Sequence, residues 1–483
     1  MIITSQSGKK YKVVIGLEVH AQIKTNAKLF SKAKNNWNSE PNHNVAIFDI
    51  AMPGSLPVLN MGAVKQAVKT GLAINATVNK VSRFDRKNYF YPDLPSGYQI
   101  TQAYNPIVEN GHLDIISDDG KEKRIRIERI HIEQDAGKSI HDRYPDKTAL
   151  DFNRSGVGLM EIVSRPDINT PLEACEYIKG LRSILKTIDT SDADMEKGSM
   201  RCDVNISVCE IDSDILGTRC EIKNVNSLKS VVRAIEYEAN RQVDIIESGK
   251  SVDQETRLFD ENTGETRRMR SKEDAVDYRY FPEPNIMPIR LSDDFINEIK
   301  SKMPELPSQK IARYTEKLGL NKEDALLMGN DISYSSYFDK LTQKFEPKMC
   351  ITWMKVELFG RLNKMGLSLD ECNVSVEKMS ELLELISSGK INGKIAKDVL
   401  DKMLETGKTA SSIVADEGLE QVDNTAELEK IADEVISNNP QQYQDYKSGK
   451  DKLFAFFVGQ VMKETKGKAN PASINEILKK KLS

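Results

Sequence analysis

Hydrophobic and polar residues alternate with period two over several short segments of the first 294 positions. In VVIGLEVHAQI, residues 13–23, Val13, Ile15, Leu17, Val19, Ala21 and Ile23 share one side of an extended chain. Gly16, Glu18, His20 and Gln22 share the other. This predicts a half-buried strand, because successive side chains of a strand point to opposite faces. RCDVNISV repeats the pattern, with Cys202, Val204, Ile206 and Val208 opposite Arg201, Asp203, Asn205 and Ser207. TRCEIKN sets Thr218, Cys220 and Ile222 against Arg219, Glu221 and Lys223, close enough to RCDVNISV to predict an antiparallel hairpin. RIHIEQDAGKS puts His131 and Glu133 on one strand face with Ile130 and Ile132 behind, then a turn carrying Asp135, Gly137 and Lys138. GVGLMEIVS, residues 156–164, is a nearly continuous apolar run broken by Glu161 and reads as a buried strand. Two helices are expected. One opens with Thr170 as N-cap and Pro171 at the first position, and presents Leu172, Cys175, Ile178, Leu181, Leu185 and Ile188. The other runs from about Leu228 to Glu247 and stops before Gly249.

The texture changes after Pro282, Pro284 and Pro288. From about 295 onward Leu, Ile, Lys and Glu recur at helical spacing. A second shift follows near 411: residues 411–440 carry eight acids and one Lys, whereas 445–483 carry nine Lys and four acids. The expected organisation is an α+β domain over 1–294, a helical domain over 295–410 and a small helical tail over 411–483.

Charge narrows the function class. Lys plus Arg number 69 and Asp plus Glu 73, a net charge of −4, which excludes a globally basic nucleic-acid coat but leaves room for a local patch. No run of ~20 apolar residues suggests a membrane span. MIITSQSGKKYK lacks the apolar core of a secretory signal, so a cytoplasmic location is expected. The six Cys form no CxxC pair and read as reduced thiols.

The candidate chemistry lies on the polar strand faces. Glu18, His20, Glu133, Glu161, Asp203 and Glu221 are all on expected strands. A carboxylate buried in the GVGLMEIVS run must be paired or bound to a cation; a salt bridge to Arg is the plain alternative. Oxygen-rich donors with one or two imidazoles suit Mg²⁺ or Mn²⁺ better than zinc, and Mg²⁺ among carboxylates points to phosphoryl chemistry. Neither GxxxxGK[ST] nor GxGxxG occurs, so a nucleotide would sit on an antiparallel sheet rather than a P-loop. In FDRKNYFYPDLPSGYQITQ, residues 84–102, Arg86 and Lys87 can meet phosphates while Tyr89, Phe90 and Tyr91 can stack on a base. An aromatic loop packed on the sheet edge explains the same residues. TRRMRSKEDAVDYRYFPEP, residues 266–284, is a second basic and aromatic segment, for which a solvated loop is the plainer reading.

GLEVHAQ, PGSLPVLN, FDRKNYFYPD, EQDAGKS, the EIVS stretch from Glu161, RCDVNIS, EIKNVNS and DYRYFPEP occur in one order and spacing, before a KSGK…VGQVMKETKGKANP ending. In this the chain resembles, over essentially its whole length, the GatB family of tRNA-dependent amidotransferase subunits. The resemblance implies an antiparallel-sheet cradle related to the glutamine synthetase and guanido kinase fold, a helical domain and a YqeY-like tail that engages tRNA. It implies ATP-dependent phosphorylation of the side-chain carboxylate of Glu on tRNA(Gln), of Asp on tRNA(Asn), or both. Amidation follows, with ammonia from an amidase partner, in a heterotrimer that a small third protein braces. With the face argument the resemblance assigns His20, Glu133 and Glu161 to Mg²⁺. Glu18, Asp203 and Glu221 are assigned to a second metal ion or the ATP phosphates as catalytic residues, with Lys87 a further nucleotide contact. Lys463, Lys466 and Lys468 fall to tRNA, although a Lys-rich terminus also serves solubility. One departure stands out: some members carry a zinc-binding Cys cluster after the first strand, but LFSKAKNNWNSEPN has no Cys, so no zinc is expected there. The chain also lacks an amidase signature of its own. Two other functions fit the polar faces: a non-catalytic tRNA-binding scaffold, and a stand-alone phosphotransferase, which the basic tail disfavours.

Overall fold

The computed structural model describes residues 1–36, 39–141, 143–270, 277–419, 425–465, 469 and 471–482. Two compact units divide the chain, Met1–Gln309 and Lys310–Ser483.

The first unit is built on one large sheet. Its main strands, in chain order, are β1 (Lys10–Gln22), β2 (Val108–Ile116), β3 (Glu122–Gln134), β4 (Gly158–Ser164), β5 (Met200–Glu210), β6 (Cys220–Val225), β7 (Thr256–Asp260) and β8 (Glu265–Arg270). Across the sheet they lie in the order β8-β7-β6-β5-β1-β4-β3-β2, with the short strand Thr77–Val78 beyond β2. Every neighbouring pair is antiparallel except β6 and β7. The expected hairpin is β5–β6. Glu161 of β4 stands opposite His20 of β1 on one side and His131 of β3 on the other. Asp203 of β5 stands opposite Glu18, and Asn205 opposite Glu221 of β6. Cross-strand partners in a sheet lie about 4.5–5.5 Å apart at Cβ. Register therefore gathers the polar residues into one patch on a single face.

The apolar face carries helices α1 (Met61–Ala73), α2 (Pro171–Thr187) and α3 (Leu228–Glu247). Val13, Ile15, Leu17, Val19 and Ala21 of β1 join Met160, Ile162, Val204, Ile206 and Ile222 in one core with residues of all three helices. Each fully buried Val, Leu or Ile contributes roughly 1.5–3 kcal/mol. Thr170 caps α2 by accepting a hydrogen bond from the Glu173 amide, and Pro171 opens it. Leu172 departs from expectation: it is exposed, and the buried stripe begins with Ala174 and Cys175. Close packing sets one small residue. A Cβ on Gly71 of α1 would meet Val108 Cγ2 at 2.6 Å.

The Pro-rich stretch does not end this unit. The following helix, Asp293–Ser301, lays Phe295, Ile296 and Ile299 on the same core, which carries the unit past 294 to Gln309. The second unit is built from helices. Phe338, Met354, Leu382, Val399 and Met403 belong to one cluster, and Leu428, Val435, Phe457, Ile474 and Leu478 to another, within the expected tail. Among the described residues no helix is long and apolar enough to cross a membrane.

Candidate active site

Two clusters sit side by side on the polar face of the sheet. The first is built by β1, β3 and β4. His20 Nε2 lies 3.3 Å from Glu161 Oε2 and 3.9 Å from Glu133 Oε1. His131 Nε2 reaches the same carboxylates from the other side, 3.0 Å from Glu161 Oε2 and 3.7 Å from Glu133 Oε2. Thr101 donates its hydroxyl to Glu133 Oε2 at 3.2 Å. The partners of Glu161 are thus two imidazoles, not the arginine of the plain alternative. Burial pushes the Glu161 carboxyl up, but His131 and then His20 outweigh it and hold it well below the usual carboxylate range. Burial opposes charge on His131, yet Glu161 and Glu133 lift that imidazole to about 9. His20 is raised too, burial again being overcome by Glu161 and Glu133. His131 Nδ1 is buried and has no hydrogen-bond partner among the described residues.

The second cluster is built by β1, β5 and β6. Glu18, Asp203 and Glu221 bring carboxylate oxygens within 4.8 Å of one another. Lys223, two residues after Glu221 on the same face, sets its Nζ 2.6 Å from Asp203 Oδ2 and 2.9 Å from Glu221 Oε1. Asn205 Nδ2 donates to Glu18 Oε1 at 2.8 Å, and Thr256 Oγ1 to Glu221 Oε2 at 2.8 Å. Burial first, and the Glu161 charge second, push the Glu18 carboxyl up. The clusters are neighbours, since Glu18 and His20 stand two residues apart on the same face of β1.

Both donor sets fit a hard divalent cation. The second is all oxygen, and the first is two carboxylates and one imidazole within 4.8 Å. The first cluster can meet its demand for positive charge in two ways, by protons on His20 and His131 or by a cation held between His20, Glu133 and Glu161.

A smaller sheet closes one side. Strands Asp85–Asn88, Tyr98–Thr101 and Phe281–Pro282 pair antiparallel, so the end of the second basic, aromatic segment joins the first, whereas its Arg267 and Arg268 belong to β8 of the large sheet. Tyr89, Tyr278 and Tyr280 pack edge to face, with ring centroids 6.0 Å apart along the chain. Lys87 Nζ lies 4.8 Å from the Tyr278 ring centre. Burial lowers the Lys87 pKa, but the charge of Glu133, then the nearby tyrosines and Glu161, raise it overall.

A model for the GatB/GatE catalytic domain matches residues 13–297, and one for the GatB domain matches 336–482. The GatB protein of the aspartyl/glutamyl-tRNA(Asn/Gln) amidotransferase of Rickettsia bellii (strain RML369-C) is 55% identical over 480 residues, 99% of each chain. Its counterpart in Rickettsia rickettsii (strain Sheila Smith) is 53% identical over 474 residues, 98% of each chain. The chain belongs to the GatB family. The large antiparallel-dominated sheet and the helical C-terminal region are the architecture in which this GatB-family sequence sets its polar face.

The residues expected from sequence divide by place. His20, Glu133 and Glu161 come together, as do Glu18, Asp203 and Glu221. Lys87 lies over the Tyr278 ring on the small sheet, whose Thr101 donates to Glu133 of the first group. Arg86, considered for phosphate, is committed elsewhere: Nε lies 2.5 Å and the NH2 nitrogen 3.1 Å from the Glu283 carboxylate, with the guanidinium 4.0 Å from the Tyr98 ring centre. Of the stacking candidates, Phe90 and Tyr91 are exposed while Tyr89 is packed among tyrosines. Lys463 is exposed on helix Leu453–Glu464; Lys466 and Lys468 lie outside the described residues. Asp135 is no free turn residue but a buried acid held by Arg154 at 3.2 Å and Arg201 at 3.0 Å. Sequence reasoning placed His131 and Lys223 on the correct faces without giving either a role. The available signal was their i, i+2 spacing from Glu133 and Glu221.

Proposed function

We propose that this chain is the tRNA-binding, ATP-using subunit of an aspartyl/glutamyl-tRNA amidotransferase, a carbon–nitrogen ligase of the cytoplasm. In the first half-reaction a carboxylate oxygen of the Glu or Asp esterified to tRNA forms a bond to the γ-phosphorus of ATP, and the bond to the β-phosphate oxygen breaks. In the second, an amidase partner releases ammonia from glutamine; the ammonia attacks the acyl carbon and inorganic phosphate leaves. A small third protein completes the proposed heterotrimer. The likeness of the cradle to the glutamine synthetase and guanido kinase fold belongs to the same proposal, since those enzymes also carry phosphoryl chemistry on an antiparallel sheet.

The observation that carries this reading is the pair of clusters on one sheet face, five carboxylates and one imidazole brought together by strand order and register. A carboxylate is a poor electrophile because its leaving group is oxide; phosphorylation supplies a good one. His20, Glu133 and Glu161 would hold one Mg²⁺, and Glu18, Asp203 and Glu221 a second. Bound there, Mg²⁺ supplies the charge that lets an anionic carboxylate approach an anionic triphosphate. The chain's own groups do the rest. Lys87, on the small sheet beside Tyr278, binds phosphate oxygen. Thr101 and His131 orient Glu133, and Asn205 orients Glu18. The tyrosines around Lys87 shelter the acyl phosphate from water. Lys463, Lys466 and Lys468 contact tRNA phosphates.

The decisive test is reconstitution of the chain with its amidase partner, misacylated tRNA, ATP and glutamine, reading amidated aminoacyl-tRNA. Product that depends on ATP and disappears with Glu161→Ala supports the proposal. Undiminished product with Glu161→Ala would reduce this chain to a scaffold.

A further inference from the structure

The two clusters hold their internal positive charge differently. In the first the basic groups are imidazoles, which carry charge only when protonated, and one of these, His20, is itself a donor for the cation. In the second the positive charge sits on Lys223, an ammonium with three donors and no acceptor, which can never ligate a metal ion while charged. Its Nζ touches two of the three carboxylates, at 2.6 and 2.9 Å. A divalent cation among Glu18, Asp203 and Glu221 would therefore share a space of a few ångströms with a fixed like charge. At that distance the repulsion is large even with substantial screening. The Lys223 side chain is one-third exposed, so it has an outward path. Phosphate offers it an alternative partner, since lysine binds phosphate as a point charge.

We infer that Lys223 is a positioning residue that makes the second cation site depend on nucleotide. In the nucleotide-free protein its ammonium stands in for the cation between Asp203 and Glu221. A bound triphosphate draws it off the carboxylates, and only then does the second cation enter. The first site fills without nucleotide. The coupling is reciprocal, so the second cation tightens nucleotide binding by the factor that nucleotide tightens the cation. This inference rests on the proposed two-cation reading of the clusters.

The test counts Mn²⁺ bound to the full-length protein by electron paramagnetic resonance, with and without the β,γ-imido analogue of ATP. The unaltered protein is expected to bind one Mn²⁺ tightly alone and two with the analogue. Lys223→Gln is expected to bind two alone, with the second site tightened by about 10-fold or more. Lys223→Arg, which keeps the charge, is expected to bind one alone and so controls for loss of structure. Two equal sites in the unaltered protein without nucleotide, or a Lys223→Gln protein that behaves as the unaltered one, overturns the inference. Failure of the underlying reading looks different. Glu161→Ala and Glu221→Ala would then each leave the Mn²⁺ count unchanged under every condition, which removes both.

Discussion

On one face of the large sheet Leu17, Val19, Ile162 and Val204 are fully buried beneath helices. One residue along the same strands, Glu18, His20, Glu161 and Asp203 crowd charge onto the other face. The backbone is common to both, so the contrast isolates what side chains do. The apolar face stabilises the unit by removing hydrocarbon from water. The polar face gathers carboxylates whose mutual repulsion opposes folding until a proton, an ammonium or a cation offsets it. Substitutions on the first face should therefore cost stability, and on the second activity.

The largest effect should come from the polar face. On the proposed function, Glu161→Ala removes a group of the phosphoryl-transfer step and is expected to lower ATP-dependent amidation by about 10³-fold or more. Binding of tRNA, measured by filter retention, should change little. A parallel loss of tRNA affinity would show that the face holds RNA rather than phosphoryl chemistry. Deleting residues 411–483 should do the reverse, weakening tRNA binding and flattening its salt dependence. ATP hydrolysis in the first unit should persist. Equal loss of both, or of neither, would break the assignment of the Lys-rich tail. On the apolar face, Ile162→Ala, whose side chain is the immediate neighbour of Glu161, should cost about 2–5 kcal/mol in urea unfolding through the cavity left behind. A variant of Ile162 that unfolds normally but loses amidation would mean that the two faces are not separable.

Much of this face was legible because a strand's period is fixed. Alternation in VVIGLEVHAQI and RCDVNISV sorted Glu18, His20 and Asp203 from their apolar neighbours without any knowledge of the sheet. Division of the acids into two clusters was not legible from alternation, because it depends on strand order. Placing β1 between β4 and β5, far apart in sequence, is what puts His20 beside Glu161 and Glu18 beside Asp203. The roles of His131 and Lys223 were hidden for the same reason: each is defined by a carboxylate contact that only register creates. Arg86 misled for a different reason. Its partner Glu283 lies almost two hundred positions away and joins it through the pairing of Phe281–Pro282 with Asp85–Asn88. Likewise the prolines signalled a boundary that Phe295 and Ile299 carry further by packing back onto the core.

The smallest effect on activity concerns a thiol on the apolar face, and it reports how firmly the two faces stay apart. Cys220 of β6 is fully buried between Glu221 and Arg219 in sequence, facing away from both. Burial, then the charge of Glu238, pushes its thiol up to about 12. A raised pKa means that the folded protein holds the proton more tightly than the unfolded chain. The stability this contributes is complete below the unfolded thiol value of about 8.5 and is lost as pH rises from there toward 12. Because the thiolate is the nucleophile, native Cys220 at pH 8 should alkylate more slowly than the unfolded chain by about 10³-fold. Iodoacetamide labelling read by mass spectrometry, with and without urea, measures this. Fast native labelling of Cys220 would show that β6 leaves the sheet on the labelling timescale, taking Glu221 and Lys223 out of the second cluster with it.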